Sequence, residues 1–259
     1  MSDKNLAHTK SKNIEHKRAV SLAFGSIASS YDSWYQTAIG KYVWFVETQA
    51  LQALYPTTPY HVALEIGVGT GKAISLIGDT HSQLIGIDIA WQMLAIAYGK
   101  FAKFDNIQLV LADGTSLPFR NECCDITLSM TVLEFVNNRD GFVQEIYRCL
   151  RTAGDLLLGV LTSLNLWAVD RQIRSWIQHD VFELASFPNP WQVVRRLSRN
   201  GFTQIRYRGA VYAPSFLPEK CFPFISRFEA KLGNRWPTRA VGAFTVFSAK
   251  RGGLKSDDL

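Results

Sequence analysis

Val62-Ala63-Leu64-Glu65-Ile66-Gly67-Val68-Gly69-Thr70-Gly71-Lys72 is the stretch that decides how this chain folds. An apolar run ends beside an acidic residue, and three glycines follow at alternate positions. A run of this length suits a strand buried on both faces, as in a parallel sheet. Glycine at every second position lets the backbone turn sharply and lets a ligand lie against it. The segment 72–79 reads as the start of a helix whose free N–H groups face the same spot. A strand, a glycine loop and a helix start make a cradle for a nucleoside-like ligand.

Two further acids follow apolar runs, Asp88 in Leu84-Ile-Gly-Ile-Asp88 and Asp113 in Ile107-Gln-Leu-Val-Leu-Ala-Asp113-Gly114. In open α/β sheets ligands bind beyond the carboxyl ends of the strands. A carboxylate there can accept hydrogen bonds from both hydroxyls of a ribose. Each feature also has a plainer reading. The glycines can mark only a tight turn, Asp88 can be a helix N-cap, and Asp113 can close a turn through Gly114-Thr115. Met93 suits core packing at helical spacing as well as a ligand contact.

The glycine spacing bears on the ligand. The dinucleotide fingerprint is G-x-G-x-x-G, whereas here it is G-x-G-x-G and Lys72 stands at that motif's last position. A diphosphate beside Glu65 would be repelled, while a ligand carrying an ammonium would be favoured. S-adenosylmethionine has an amino acid end, a ribose, an adenine and no phosphate. On these residues the chain resembles the class I S-adenosylmethionine-dependent methyltransferases, specifically the broad type 11 group of small-molecule enzymes, over about residues 19–250.

The resemblance implies a doubly wound, mostly parallel seven-stranded α/β sheet and S-adenosylmethionine as cofactor. It implies that Glu65 and Gly67-Val-Gly-Thr70-Gly71 hold the methionine portion, and Asp88 the ribose hydroxyls. Ile89 and Met93 would flank the adenine, whose amino group would donate to Asp113 beside the Gly114 backbone. Ser129, Met130 and Glu134 would line the methyl-transfer end. Glu145 to Leu158 matches the family's next helix, turn and strand, with Gly154-Asp155 where the family usually has Gly-Gly. Residues 23–35 resemble the N-terminal lid of the ubiquinone and menaquinone C-methyltransferases and of the carrier-protein malonyl O-methyltransferase. That lid would supply Tyr31, Trp34 and Tyr35 to cover the pocket and face the cationic sulfur.

Composition fits one sizeable core with appended elements: 259 residues, 47% hydrophobic. Cysteines 123, 124, 149 and 221 form no C-x-x-C pair, so neither a zinc site nor a disulfide framework is expected. No apolar run reaches the ~18 residues of a membrane span, and no signal peptide opens the chain. A soluble, cytoplasmic protein is expected. The net charge of +6 raises anionic partners. The excess sits in residues 1–18 and 171–208. The fourth strand reads Leu128-Ser-Met-Thr131, not the Asn/Asp-Pro-Pro-aromatic motif of exocyclic base methylation, so a nucleic acid substrate is disfavoured. An anionic acceptor, or one presented on an acidic carrier or a membrane, fits better.

Along the chain, residues 1–13 read as a disordered polar tail and 14–54 as the helical lid. Residues 55–250 form the cofactor-binding domain, with strands near 62–66, 84–88, 107–111, 124–130, 155–161, 203–208 and 243–249. Residues 162–189 read as a helical cap, 190–201 as a helix, and 212–237, with Pro214, Pro218, Pro223 and Pro237, as an irregular substrate-side segment. Residues 251–259 form a tail. Methyl transfer from a sulfonium asks chiefly for positioning and exclusion of water. His179 is the one cap histidine placed to act as a base, and no residue earns that role from the sequence. Two readings stand: methyl transfer to oxygen or carbon of a small acceptor, quinone-like or carrier-bound, or a non-catalytic S-adenosylmethionine-binding regulatory or assembly protein. An NAD-dependent oxidoreductase is disfavoured by the glycine spacing and by the absence of a Tyr-x-x-x-Lys pair.

Overall fold

The computed structural model describes residues 3–57, 59–77, 83–165, 167, 181–214 and 216–253. Seven strands form one sheet: β1 Val62–Ile66, β2 Gln83–Asp88, β3 Ile107–Leu111, β4 Cys124–Met130, β5 Leu150–Leu161, β6 Phe202–Ala210 and β7 Phe244–Arg251. Their order is β3-β2-β1-β4-β5-β7-β6. The four pairings among β1 to β5 are parallel, and β7 inserts antiparallel between β5 and β6. The helices are α1 Asp3–Trp34, α2 Ala38–Gln52, α3 Ile74–Ile77, α4 Trp91–Phe101, α5 Arg139–Cys149, α6 Pro190–Arg199 and α7 Phe222–Leu232.

The central strands are apolar on both faces because both faces are covered. In β1, Ala63 joins one core with Val46 and Leu51 of α2 and Phe244 of β7. Leu64 and Ile66 turn the other way, toward Phe142 and Ile146 of α5 and Leu197 of α6. Asp125 pins the start of β1, accepting from the backbone N–H of His61 at 2.9 Å and Val62 at 2.8 Å and from Arg151 at 2.6 Å. Helix α6 starts on a capping box, Asn189 with Gln192, and Pro190 needs no N–H in the first turn.

Two regions differ from expectation. Helix α1 begins at Asp3, so residues 3–13 are part of that helix where a disordered tail was expected. Once nucleated, a helix adds one hydrogen bond per residue fixed, and Leu6, Ala7 and the lysines are good formers. The 212–237 stretch contains a helix, α7, because Pro223 sits in the first turn, where proline is tolerated. Part of the 162–189 cap and the 251–259 tail, His179 among them, lies outside the described residues. No helix among the described residues is long and apolar enough to cross a membrane.

Chain order reverses between β1 and β4, so a crevice opens beyond their carboxyl ends. Glu65 of β1 stands in register with Gly86 of β2, and Asp88 ends β2 opposite Leu111 of β3. The parallel register therefore sets the acids at one edge of the sheet.

Candidate functional site

A cavity of about 600 Å³ occupies this crevice. It is lined by Tyr31, Glu65, Gly67, Gly69, Thr70, Asp88, Ile89, Met93, Asp113, Gly114 and Met130, which are the expected site residues except Gly71. Gly71 turns away: a Cβ there would lie 2.4 Å from the Phe101 ring of α4. Its place is in the packing of the loop on α4. Ser129 and Glu134 are fully buried, and Met130 alone of that expected trio reaches the cavity. In a strand, neighbouring side chains point to opposite faces, so Ser129 and Met130 cannot share one. Glu134 sits in a short 3₁₀ turn, Leu133–Phe135, where its Oε1 accepts from Leu161 N–H at 3.4 Å.

Glu65 is 1% exposed, and its Oε2 has no hydrogen-bond partner among the described residues. Burial, and then the negative charge of Asp88, push its carboxyl well above the usual range. A buried orphan acceptor beside an open loop is a place for a donor from a ligand. Gly69 adopts φ +54°, and a Cβ there would meet nothing within 4 Å. The unpartnered oxygen of Glu65 and the open space at Gly69 together fit a ligand that carries an N–H donor.

Asp88 accepts from Gly69 N–H and Ala90 N–H, both at 2.8 Å. Burial raises its pKa, and these backbone donors oppose the rise. The carboxylate thus sets the shape of the glycine loop and retains further lone pairs toward the cavity. Asp113 is held differently. Lys17 of α1 lies 2.5 Å from it, and Thr115 donates from both N–H and hydroxyl at 2.8 and 2.9 Å. Burial would raise the Asp113 carboxyl, but Lys17 and Thr115 together hold it below its ordinary value.

Helix α1 lies across the mouth. Asp32 receives Thr70 Oγ1 at 2.7 Å and Lys100 Nζ at 2.5 Å, and Ser21 donates to Ile89 O at 2.9 Å. His16 Nε2 is hydrogen-bonded to Phe135 O at 2.9 Å. Tyr31 and Tyr35 pack edge to face at 5.8 Å, with Tyr35 against Trp44 of α2. Lys72, at the loop's end, sets its ammonium 4.4 Å from the centres of both the Tyr35 and Trp44 rings. Trp34, expected beside them, also lines the cavity and is 41% exposed.

Around Met130 the cavity wall is an apolar chamber: Val43, Trp44, Leu161, Trp167, Val211 and Phe244 line it and pack in the same apolar cluster as Met130. Sequence reasoning missed these residues. They come from α2, β5, β7, the residue after β6 and the cap, and nothing local distinguishes them from core. Thr131 at the strand end has φ +53°, a strained conformation of the kind that collects at functional sites.

Residues 64–158 match the family model described as a methyltransferase domain. That segment of the chain carries a methyltransferase domain of the type 11 family. The chain is similar to a malonyl-[acyl-carrier protein] O-methyltransferase of Marinomonas, 26% identical over 58% of this chain and 54% of the relative. A demethylmenaquinone methyltransferase of Tropheryma whipplei is 29% identical over 56% of this chain and 59% of its own. The matches thus span little more than half the length of these two methyltransferases. The fold is shared with a Thermotoga maritima structure described as an S-adenosylmethionine-dependent methyltransferase, possible histamine N-methyltransferase. That similarity has a TM-score of 0.69 at 21% identity, covering 88% of this chain and 98% of that one. A Haemonchus contortus phosphoethanolamine N-methyltransferase 2 of the same fold, with a TM-score of 0.58 at 18% identity over 89% of this chain and 60% of that one, was solved with S-adenosylmethionine.

Proposed function

We propose that this chain transfers the methyl group of S-adenosylmethionine to an oxygen or carbon of a small apolar acceptor, quinone-like or carrier-bound. The observation that carries the reading is the continuity of the cradle at Glu65 and Gly69 with the apolar chamber around Met130. The residues fit the cofactor. The buried orphan carboxyl of Glu65 suits an ammonium, the open space at Gly69 leaves room for an amino acid chain, and Asp88 suits ribose hydroxyls. Ile89 and Met93 offer an apolar wall to a base, beside Asp113 and Gly114. When bound, S-adenosylmethionine supplies an electrophilic methyl on a sulfonium that is already a good leaving group.

The protein's part is to orient the acceptor and exclude water. Residues 14–54 act as a lid over the cofactor-binding domain of residues 55–250, with Tyr31 and Tyr35 closing the mouth. Leu161, Trp167 and Phe244 hold an apolar acceptor against Met130 by burying its surface, at about 25 cal/mol per Å². Such positioning accounts for most of what the reaction asks of an enzyme.

Calorimetric titration with S-adenosylmethionine, S-adenosylhomocysteine and NADH, repeated on Asp88→Ala, tests the reading. Binding of the adenosyl ligands but not NADH, lost in the variant, is expected. Labelled methyl transfer to apolar phenols and quinols then identifies the acceptor. Absence of adenosyl binding at saturating ligand sinks the proposal, and adenosyl binding without transfer to any acceptor moves it to a regulatory role.

A further inference from the structure

Helix α7 presents an unusual surface outside the cavity. Its inner side is anchored: Phe222 stacks on Tyr42 of α2 at 4.9 Å, and buried Glu229 accepts from Val211 N–H at 3.0 Å, Tyr212 N–H at 2.8 Å and the Tyr42 hydroxyl. Its outer side carries Phe224 and Phe228, 64% and 46% exposed, with ring centres 5.1 Å apart. Phe216 just before the helix is 78% exposed, and Trp236 just after it 72%. Four large rings turned to water around one helix are far more than the single exposed apolar residues of an ordinary surface.

Cations are interleaved with these rings. Arg227 and Lys231 share the outward face of α7 with Phe224 and Phe228 by helical spacing, and Lys220 and Arg235 flank it, all exposed. Against them the stretch from 216 to 237 exposes one acid, Glu219, since Glu229 is buried. Aromatic rings mixed with Lys and Arg on one short helix are the pattern of an element lying in a membrane interface: the rings enter the headgroup boundary and the cations meet anionic lipid.

We propose that the outward face of α7, with Phe216 and Trp236 beside it, docks this protein on an anionic lipid bilayer. Charge and ring content together select that occupant. A second copy packed face to face would bring four cations against four cations. An acidic carrier protein would pair with the cations but leave the rings in water. The placement has a consequence for the acceptor, resting on the methyltransferase reading. Val43, next to Tyr42, and Val211, bound by Glu229, line the apolar chamber, so the lipid-facing helix backs the acceptor end. A membrane-dissolved acceptor is then delivered close to where it is used.

Sedimentation of the full chain with vesicles decides the matter. Binding to mixed phosphatidylcholine and phosphatidylglycerol vesicles is expected, with weaker binding to phosphatidylcholine alone. The double substitutions Phe224→Ser/Phe228→Ser and Arg227→Gln/Lys231→Gln should each lower the partition coefficient roughly ten-fold, with circular dichroism and S-adenosylhomocysteine affinity unchanged. No wild-type sedimentation, or equal sedimentation of the variants, overturns the proposal. So does self-association, or binding of an acidic acyl-carrier protein, that the same substitutions abolish while vesicles are ignored. Because vesicle binding is read without cofactor, its failure is distinct from failure of the methyltransferase reading.

Discussion

Burial, and then the charge of Asp88, raise the pKa of Glu65 in the free protein, and the same unpartnered oxygen suits an ammonium. A cation placed beside it favours the ionised form, so binding lowers a pKa that folding had raised. S-adenosylhomocysteine binding is therefore expected to release a proton at neutral pH, seen as a binding enthalpy that changes with the ionisation enthalpy of the buffer. Glu65→Gln should remove that dependence and weaken binding about ten-fold or more, as losing a charge-assisted hydrogen bond does. The loop glycines should separate in the same way. At Gly67, φ is +77° and a Cβ would lie 2.1 Å from Val132 Cγ2, so Gly67→Ala combines backbone strain with a clash and should cost about 2–4 kcal/mol in denaturant melts. Gly69 has open space. Gly69→Ala should cost only the left-handed strain, about 1–2 kcal/mol, while its methyl group enters the cradle and lowers cofactor affinity.

At the scale of elements, the link from β3 to β4 is held by a pair on α5. Glu145 accepts Leu117 N–H at 2.7 Å and Arg148 at 2.8 Å, and Arg148 reaches Leu117 O and Phe119 O at 3.0 and 2.6 Å. Arg148 chiefly holds the Glu145 carboxyl below its ordinary value near 4.5. A carboxyl more acidic in the folded than in the unfolded chain contributes fully above the ordinary value, and its contribution fades as pH falls through the lower folded one. Glu145→Gln should thus destabilise by about 1–2 kcal/mol at neutral pH, and the gap from wild type should close as pH drops below about 4.5. Melting midpoints measured across that window check it. The strands were legible because a parallel strand buried on both faces must be a continuous apolar run, as in Val62–Ile66. Helix α7 was not legible. Its outward face carries Phe224 and Phe228 among Arg227 and Lys231, so apolar residues fall on both sides and the single apolar stripe of an ordinary surface helix is missing.

Across the whole molecule, helix α1 packs on α4 through an apolar seam, Phe24, Ile27, Ala28 and Tyr31 against Ala90, Met93 and Ile96, and polar contacts join it to the crevice on either side. Lys17 on Asp113 and Lys100 on Asp32 tie α1 to two edges of the cavity. Both pairs are partly exposed, so each is worth little in stability, about 0.2–1 kcal/mol, and each joins α1 to a different part of the crevice wall. Lys100→Ala should raise the association and dissociation rates of S-adenosylhomocysteine about two- to five-fold with little change in melting temperature. Stopped-flow tryptophan fluorescence is the measurement, and unchanged rates would show that α1 does not limit entry. The lid was legible as helix from its pattern. Its partners were not, because Lys17 and Asp113, or Asp32 and Lys100, are far apart in the chain and meet only when the sheet edge is built.

By itself the sequence determined the sheet class, the glycine loop and the acids at the strand ends. These are local properties: burial on both faces demands apolar runs, tight turns demand glycine, and a β-strand carries its last side chain to a fixed edge. Only the tertiary structure decided that Gly71 packs against Phe101, that Ser129 and Glu134 are buried beside the cavity, and that an apolar chamber of Val43, Leu161, Trp167, Val211 and Phe244 adjoins the cradle. Those outcomes depend on which face each strand turns inward and which distant elements close over it, and such packing is set by the whole chain at once.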